Sequence, residues 1–144
     1  MPVEIQALEP SDYDALLALW KTAGLPHRPK GRDSREAITS QMRRDPGLFL
    51  GTFLEDRLVG SVIASFDGRK GWINRLAVDP DERRRGIGRK LTEEAERVLQ
   101  ARGSQITAAL VEADNFPSMA LFEKCGYTIH KDMLYLTKRD SGQV

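Results

Sequence analysis

The sequence predicts an α/β domain: a mixed, mostly antiparallel sheet of six to seven strands flanked by about four helices. Two observations carry this. The runs "LFLGTFL", "RLVGSVIASF" and "GWINRLAV" are rich in β-branched and aromatic residues and are separated by short turn signals, which predicts three antiparallel strands in succession. A strand, a glycine-rich turn, an amphipathic helix and a further strand then follow between residues 71 and 111, a crossover unit that favours parallel pairing of its two strands.

The 144 residues fit one domain, 1–144, large enough to bury a core without disulfides. A formal net charge of +1 gives no global field for nucleic acid, so any basic patch must act locally. No apolar run approaches the roughly 18 residues of a spanning helix, and the start "MPVEIQALEP" lacks a signal-like core, so the chain reads as soluble and cytoplasmic with no membrane partner. One cysteine, Cys125, and two histidines, His27 and His130, leave no expected metal site. Cys125 reads as a small buried residue, since nothing near it resembles a nucleophilic pair.

The elements follow in order. "VEIQAL" alternates as an opening strand, and "SDYDALLALWKTAG" predicts a helix capped by Ser11, with Leu16, Leu19, Trp20 and Ala23 on one face and Gly24 at its end. "LPHRPKGRD" is a basic loop leading to Ser34, the predicted cap of a second helix through Arg44. The first two strands of the central meander join at "EDR", and Asp67-Gly68 marks the turn before the third. Ile87, Leu91, Ala95, Val98 and Leu99 recur at helical spacing up to Gly103, and "SQITAALV" is the strand beyond. Asn115 and Pro117 open a last helix that Gly126 closes, and "YTIHKDMLYLTK" predicts a closing hairpin around "HKD".

"DERRRGIGRK" is the stretch that carries chemistry. A helix start offers unpaired N–H groups and a positive dipole end, so an anion binds there to backbone, and Gly86 and Gly88 clear its approach. Cations at that end oppose the dipole, a conflict that a bound anion resolves. The spacing fits neither the three-glycine dinucleotide fingerprint nor the Walker loop.

Arg83 to Gly88 match Q/R-x-x-G-x-G/A, and "NFPSMALFEKCGY" matches a second recurrent stretch; both are motifs of the GNAT superfamily of N-acetyltransferases, which this sequence resembles over nearly its whole length, closest to small bacterial YpeA-type members. The resemblance implies the GNAT-type sheet, splayed between the strands around the pyrophosphate turn. It implies acetyl-CoA as co-substrate, with no metal, and a primary amine, on a small molecule or a protein, as acceptor; it is compatible with a homodimer. Backbone at Leu76, Ala77 and Val78 would meet the pantetheine arm. Arg83, Arg84, Arg85, Gly86, Ile87, Gly88, Arg89 and Lys90 would surround the pyrophosphate, and Asn115, Ser118 and Phe122 would border the arm.

Phe122 stands where relatives often carry a tyrosine acid, and Trp72 and Leu110 stand where they often carry a glutamate. The remaining acid or base candidates are Tyr127, Glu112 and Tyr135, with direct attack by a positioned neutral amine as the mechanism. Trp20, Arg32 and Asp67 are the candidate acceptor contacts. The basic residues Arg28, Lys30, Arg32 and Arg35 point to an acceptor that carries an acid group as well as its amine. The alternative is a catalytically inactive acetyl-CoA-binding module, motivated by Phe122.

Overall fold

The structure, a computed structural model, describes residues 3–142. Five strands form one sheet in sequence order: β1 (Glu4–Ala7), β2 (Phe49–Leu54), β3 (Arg57–Phe66), β4 (Gly71–Val78) and β5 (Thr107–Ala109). The first four are antiparallel, and β5 joins β4 in parallel. The helices are α1 (Tyr13–Thr22), α2 (Arg35–Arg44), α3 (Ile87–Ala101) and α4 (Phe116–Lys124).

Local chemistry sets these boundaries. Ser34 Oγ accepts the Ala37 N–H at 3.2 Å to start α2, as its sequence position predicts. Ser11 does not cap α1: it lies in a 3-10 turn, Pro10–Asp12, and Asp12 Oδ2 accepts the Glu9 N–H at 2.8 Å instead. Glu55 and Asp56 both hold positive φ, the geometry of a two-residue hairpin between β2 and β3.

The core lies on both faces of the sheet. On one, the α3 stripe Ile87, Leu91, Ala95 and Leu99 packs with Val59, Val62 and Ile73. Each fully buried Leu or Ile in that stripe contributes about 1.5–3 kcal/mol. On the other, Leu16, Leu19 and Trp20 of α1 and Ile38 and Met42 of α2 cover Phe49, Ile63 and Ala77. A Cβ on Gly60 would lie 2.7 Å from Ile87 Cγ2 and 3.0 Å from Leu91 Cδ1, so this glycine lets the start of α3 sit close on β3.

Two expectations change. The strand predicted over "SQITAALV" pairs at only three positions, Gly71↔Thr107, Trp72↔Ala108 and Ile73↔Ala109, after which β4 runs on to Val78 paired with β3 alone. The predicted closing hairpin does not form strands, so the described residues hold five strands rather than six to seven. The apolar run there, Met133 to Leu136, has strand propensity but stays exposed, and propensity without a paired neighbour makes no ladder. No helix among the described residues is long and apolar enough to cross a membrane.

Candidate active site

The parting of β4 and β5 opens a cavity of about 630 Å³. One wall is β4 from Ile73 to Leu76; the other is the chain after β5, Leu110 to Ala113, with Asn115, Ser118 and Phe122 of the α4 start. The loop between α1 and α2 closes one side through Leu25, Pro26, Arg32 and Asp33, and Tyr135 and Arg139 border it from the tail. A second hollow of about 500 Å³ beside β1 is walled by Glu4, Glu9, Asp12, Glu55 and Asp56, a carboxylate-rich surface unsuited to an anion.

Within the cavity wall β4 is bulged. Ser61 pairs with Ala77 and Ile63 with Asn74, so Arg75 and Leu76 together face the single residue Val62. Arg75 adopts the left-handed region, φ 54°. A bulge takes a residue out of the ladder and re-aims the backbone, here at the point where the sheet splits.

The turn beyond β4 is anchored from the far side. Arg57, at the start of β3, donates to Asp79 Oδ2 at 3.0 Å and Glu82 Oε1 at 3.3 Å, and Arg85 Nε lies 3.1 Å from Glu82 Oε2. Asp79 Oδ1 also accepts the Asp81 N–H at 2.9 Å. Asp79 and Glu82 are thereby held by Arg57, Arg85 and backbone, and the first turn of α3 contains no acidic residue. Gly86 is the N-cap of α3, at φ 73°, and no side chain caps it. A Cβ built there meets nothing within 4 Å, so the space over the helix start is open. Open space, first-turn N–H groups without intrahelical partners and the exposed Arg83 and Arg84 fit a diphosphate. Arg89 is shared with Glu93 at 3.9 Å, and Lys90 stands exposed one position on. Gly88 has a packing duty as well: its Cβ would lie 3.0 Å from Leu121 Cδ2 of α4.

Asn115 caps α4, its Oδ1 accepting the Ser118 N–H at 3.2 Å, which leaves its amide nitrogen to donate elsewhere. Phe122 is buried against the cavity, and its ring meets Tyr127 edge-on with centroids 5.0 Å apart. Leu76 lines the cavity, whereas Ala77 is buried in the core and can offer only its backbone to the cleft; Val78 packs at the edge of the core.

Three predicted residues lie elsewhere. Trp20 is 0% exposed, its Nε1 donating to Ser61 Oγ at 3.2 Å, so burial removes it from contact with an acceptor. Asp67 is consumed by its turn, accepting the N–H groups of Arg69 at 2.8 Å and Lys70 at 2.7 Å and the Trp72 Nε1–H at 3.2 Å; these bonds hold its carboxyl below the usual range. Tyr127 donates its hydroxyl to Glu96 Oε2 at 2.7 Å. Burial first, then that bond, pushes its phenol far above 10.0. Glu112 and Tyr135 do border the cavity, as does Arg32. Arg35 turns away to Asp14 at 2.5 Å and over the Tyr13 ring, so the cationic rim is narrower than the loop sequence implies.

Tyr127→Phe is expected to change turnover by less than about twofold while costing about 1 kcal/mol of stability, the scale of one partly exposed hydrogen bond. Because the folded pKa is raised, this contribution is complete below the unfolded value near 10 and fades as pH rises above it. Denaturant melts of both proteins at pH 8 and above pH 10 check it, the gap between them narrowing at the higher pH.

Sequence reasoning missed Asp33, Asn74 and Arg75. A signal existed: "NR" interrupts the apolar run "WINRLAV", and polar residues inside a buried strand mark a functional or paired position.

Comparisons with known proteins agree with this geometry. The chain is 33% identical over 137 residues to Acetyltransferase SG1711 of Sodalis glossinidius (strain morsitans), covering 95% of both chains. Its fold is similar to that of the PaiA N-acetyltransferase from Thermoplasma acidophilum in complex with coenzyme A, with a TM-score of 0.79 at 22% identity, covering 90% of this chain and 92% of that one. It is similar also to AAC(6')-Iy in complex with the bisubstrate analog CoA-S-monomethyl-acetylneamine, with a TM-score of 0.81 at 17% identity, covering 96% and 99%. Residues 13–127 match the family model described as Acetyltransferase (GNAT) family, and the chain belongs to that family.

Proposed function

We propose that this protein is an acetyl-CoA-dependent N-acetyltransferase that acts on a primary amine by direct attack within a ternary complex. The observation that supports it most is the uncapped, carboxylate-free start of α3 under open space at Gly86, set beside a cleft that splits the sheet. Acetyl-CoA, when bound, supplies an activated thioester whose carbonyl accepts the amine.

The chain's own residues then have separable tasks. The α3 start and Arg83 and Arg84 hold the diphosphate, fixing one end of the cofactor. The bulged backbone of β4 at Leu76 supplies a fixed dipole for the carbonyl oxygen, so stabilisation costs no reorganisation. Asn115 holds the arm from the opposite wall. Phe122 brings no proton donor, and none is needed if the sulfur leaves as thiolate, since an ordinary thiol has a pKa of about 8.5. Glu112 and Tyr135, facing the cavity, carry the amine's proton away through water.

The acceptor carries a carboxylate or phosphate beside its amine, drawn by Arg32 on the cavity wall. With no base in contact, amines that are neutral near pH 7.5 are favoured: an α-amine has a pKa of about 8 and a lysine amine about 10.4. A panel of primary amines, followed by thiol release from acetyl-CoA, tests both statements. Turnover led by acidic α-amines supports the reading; preference for polycations overturns the acceptor class. Binding without turnover on any amine favours an inactive acetyl-CoA-binding module, which the hydroxyl-free Phe122 motivates.

A further inference from the structure

Asp33 is a buried carboxylate in the cavity wall, held through one of its two oxygens. Its Oδ2 accepts the Arg28 N–H at 2.6 Å and Arg75 Nη2 at 2.8 Å, while Arg32 Nε lies 3.9 Å away. Its backbone carbonyl accepts the Tyr13 hydroxyl at 2.7 Å. Arg75 gives its other arm, Nη1, to the Pro26 carbonyl at 2.8 Å and lies over the Trp20 ring, 4.9 Å from its centroid. Its side chain is 14% exposed, and burial draws its pKa down against the pull of Asp33.

Arg75 is also the left-handed residue of the β4 bulge, and a non-glycine residue persists in that region only where its surroundings hold it there. Here its hydrogen-bond partners, Pro26 and Asp33, belong to the 25–33 loop, which forms the opposite side of the same cavity. One guanidinium therefore joins the two walls that a thioester and an amine would occupy.

We propose that Arg75 is a positioning residue for acetyl transfer, clamping the 25–33 loop onto the β4 bulge so that the acceptor wall and the thioester-facing backbone keep one relative geometry. This rests on the N-acetyltransferase reading above. Lysine cannot replace it, because a single ammonium cannot span the Pro26 carbonyl and Asp33 as a planar fork does.

The test compares wild type, Arg75→Ala, Arg75→Lys and Asp33→Asn, the last two serving if the alanine variant fails to fold. Hydrogen exchange of the cofactor-free protein is expected to quicken at least tenfold in both 25–33 and 74–78, with α3 unchanged. Coenzyme A affinity by calorimetry is expected to stay within threefold. With the dipeptide glycylaspartate, an acidic α-amine, as the acceptor probe, kcat/KM is expected to fall at least thirtyfold in Arg75→Ala, and Arg75→Lys to recover only part of it. Exchange that quickens in only one segment, or uniformly across the chain, overturns the clamp, as does unchanged kcat/KM in the variants when wild type turns the dipeptide over. If wild type acetylates no amine at all, the enzymatic reading fails instead, and the exchange data still decide whether the clamp exists.

Discussion

Gly86→Val is expected to raise the Kd for acetyl-CoA by at least about 100-fold, or about 2.7 kcal/mol. The position combines two demands. Its φ of 73° suits glycine and strains a β-branched residue, and the space beyond its Cα is empty of protein atoms. A valine there would collide with nothing in the fold, so the packing of α3 should survive. The methyl groups would instead stand where a diphosphate must approach the backbone N–H groups of the helix start. Backbone strain costs about 1–3 kcal/mol, enough to lower the melting temperature without unfolding a domain of this size. Calorimetry beside circular dichroism separates the effects: a folded variant with wild-type affinity contradicts the assignment. Gly86→Ala, with a single added carbon, is expected to fall between.

Trp20→Ala is expected to cost about 3–5 kcal/mol, a large share of the stability of a small domain. The ring is fully buried between α1 and the sheet, supports the Arg75 guanidinium from below and donates to Ser61 on β3. Removing it leaves a cavity, an unpaired serine hydroxyl and an arginine without its aromatic floor. Trp20→Phe keeps most of the volume and forfeits the hydrogen bond, so about 1 kcal/mol is expected. Urea melts measure both. A loss under 1 kcal/mol for the alanine variant would mean that the ring is not the keystone of this face.

Legibility in the sequence follows the range of the forces involved. The α2 and α4 caps, Ser34 and Asn115, and the α3 stripe from Ile87 to Leu99 are local patterns, and each element starts or packs as its pattern predicts. The glycine N-cap of α3 was legible too, because glycine, charge and helix phase lie within eight residues. What could not be read depends on distant partners. The bulge at Arg75 is invisible in "WINRLAV" because β propensity describes a pleated surface, not the register against Val62. Asp33 stood unremarked in a basic loop because its partner across the cavity, Arg75, is 42 residues away. Trp20 and Tyr127 were ambiguous for a related reason: an aromatic with a polar handle serves a core or a site equally well, and only its partner, Ser61 or Glu96, decides. The N-cap position of α1 falls on Asp12, one residue past Ser11, and no side chain caps it, a shift within the ordinary uncertainty of a helix boundary.

Diphosphate capture by the backbone at the start of α3 is the step on which the proposed activity depends. The most direct measurement is a titration of the isotopically labelled protein with coenzyme A, following the amide resonances of Gly86, Ile87, Gly88 and Arg89. Saturable shifts at these four, with the Kd found by calorimetry, are the predicted result. Coenzyme A that binds with those four resonances unmoved would contradict it.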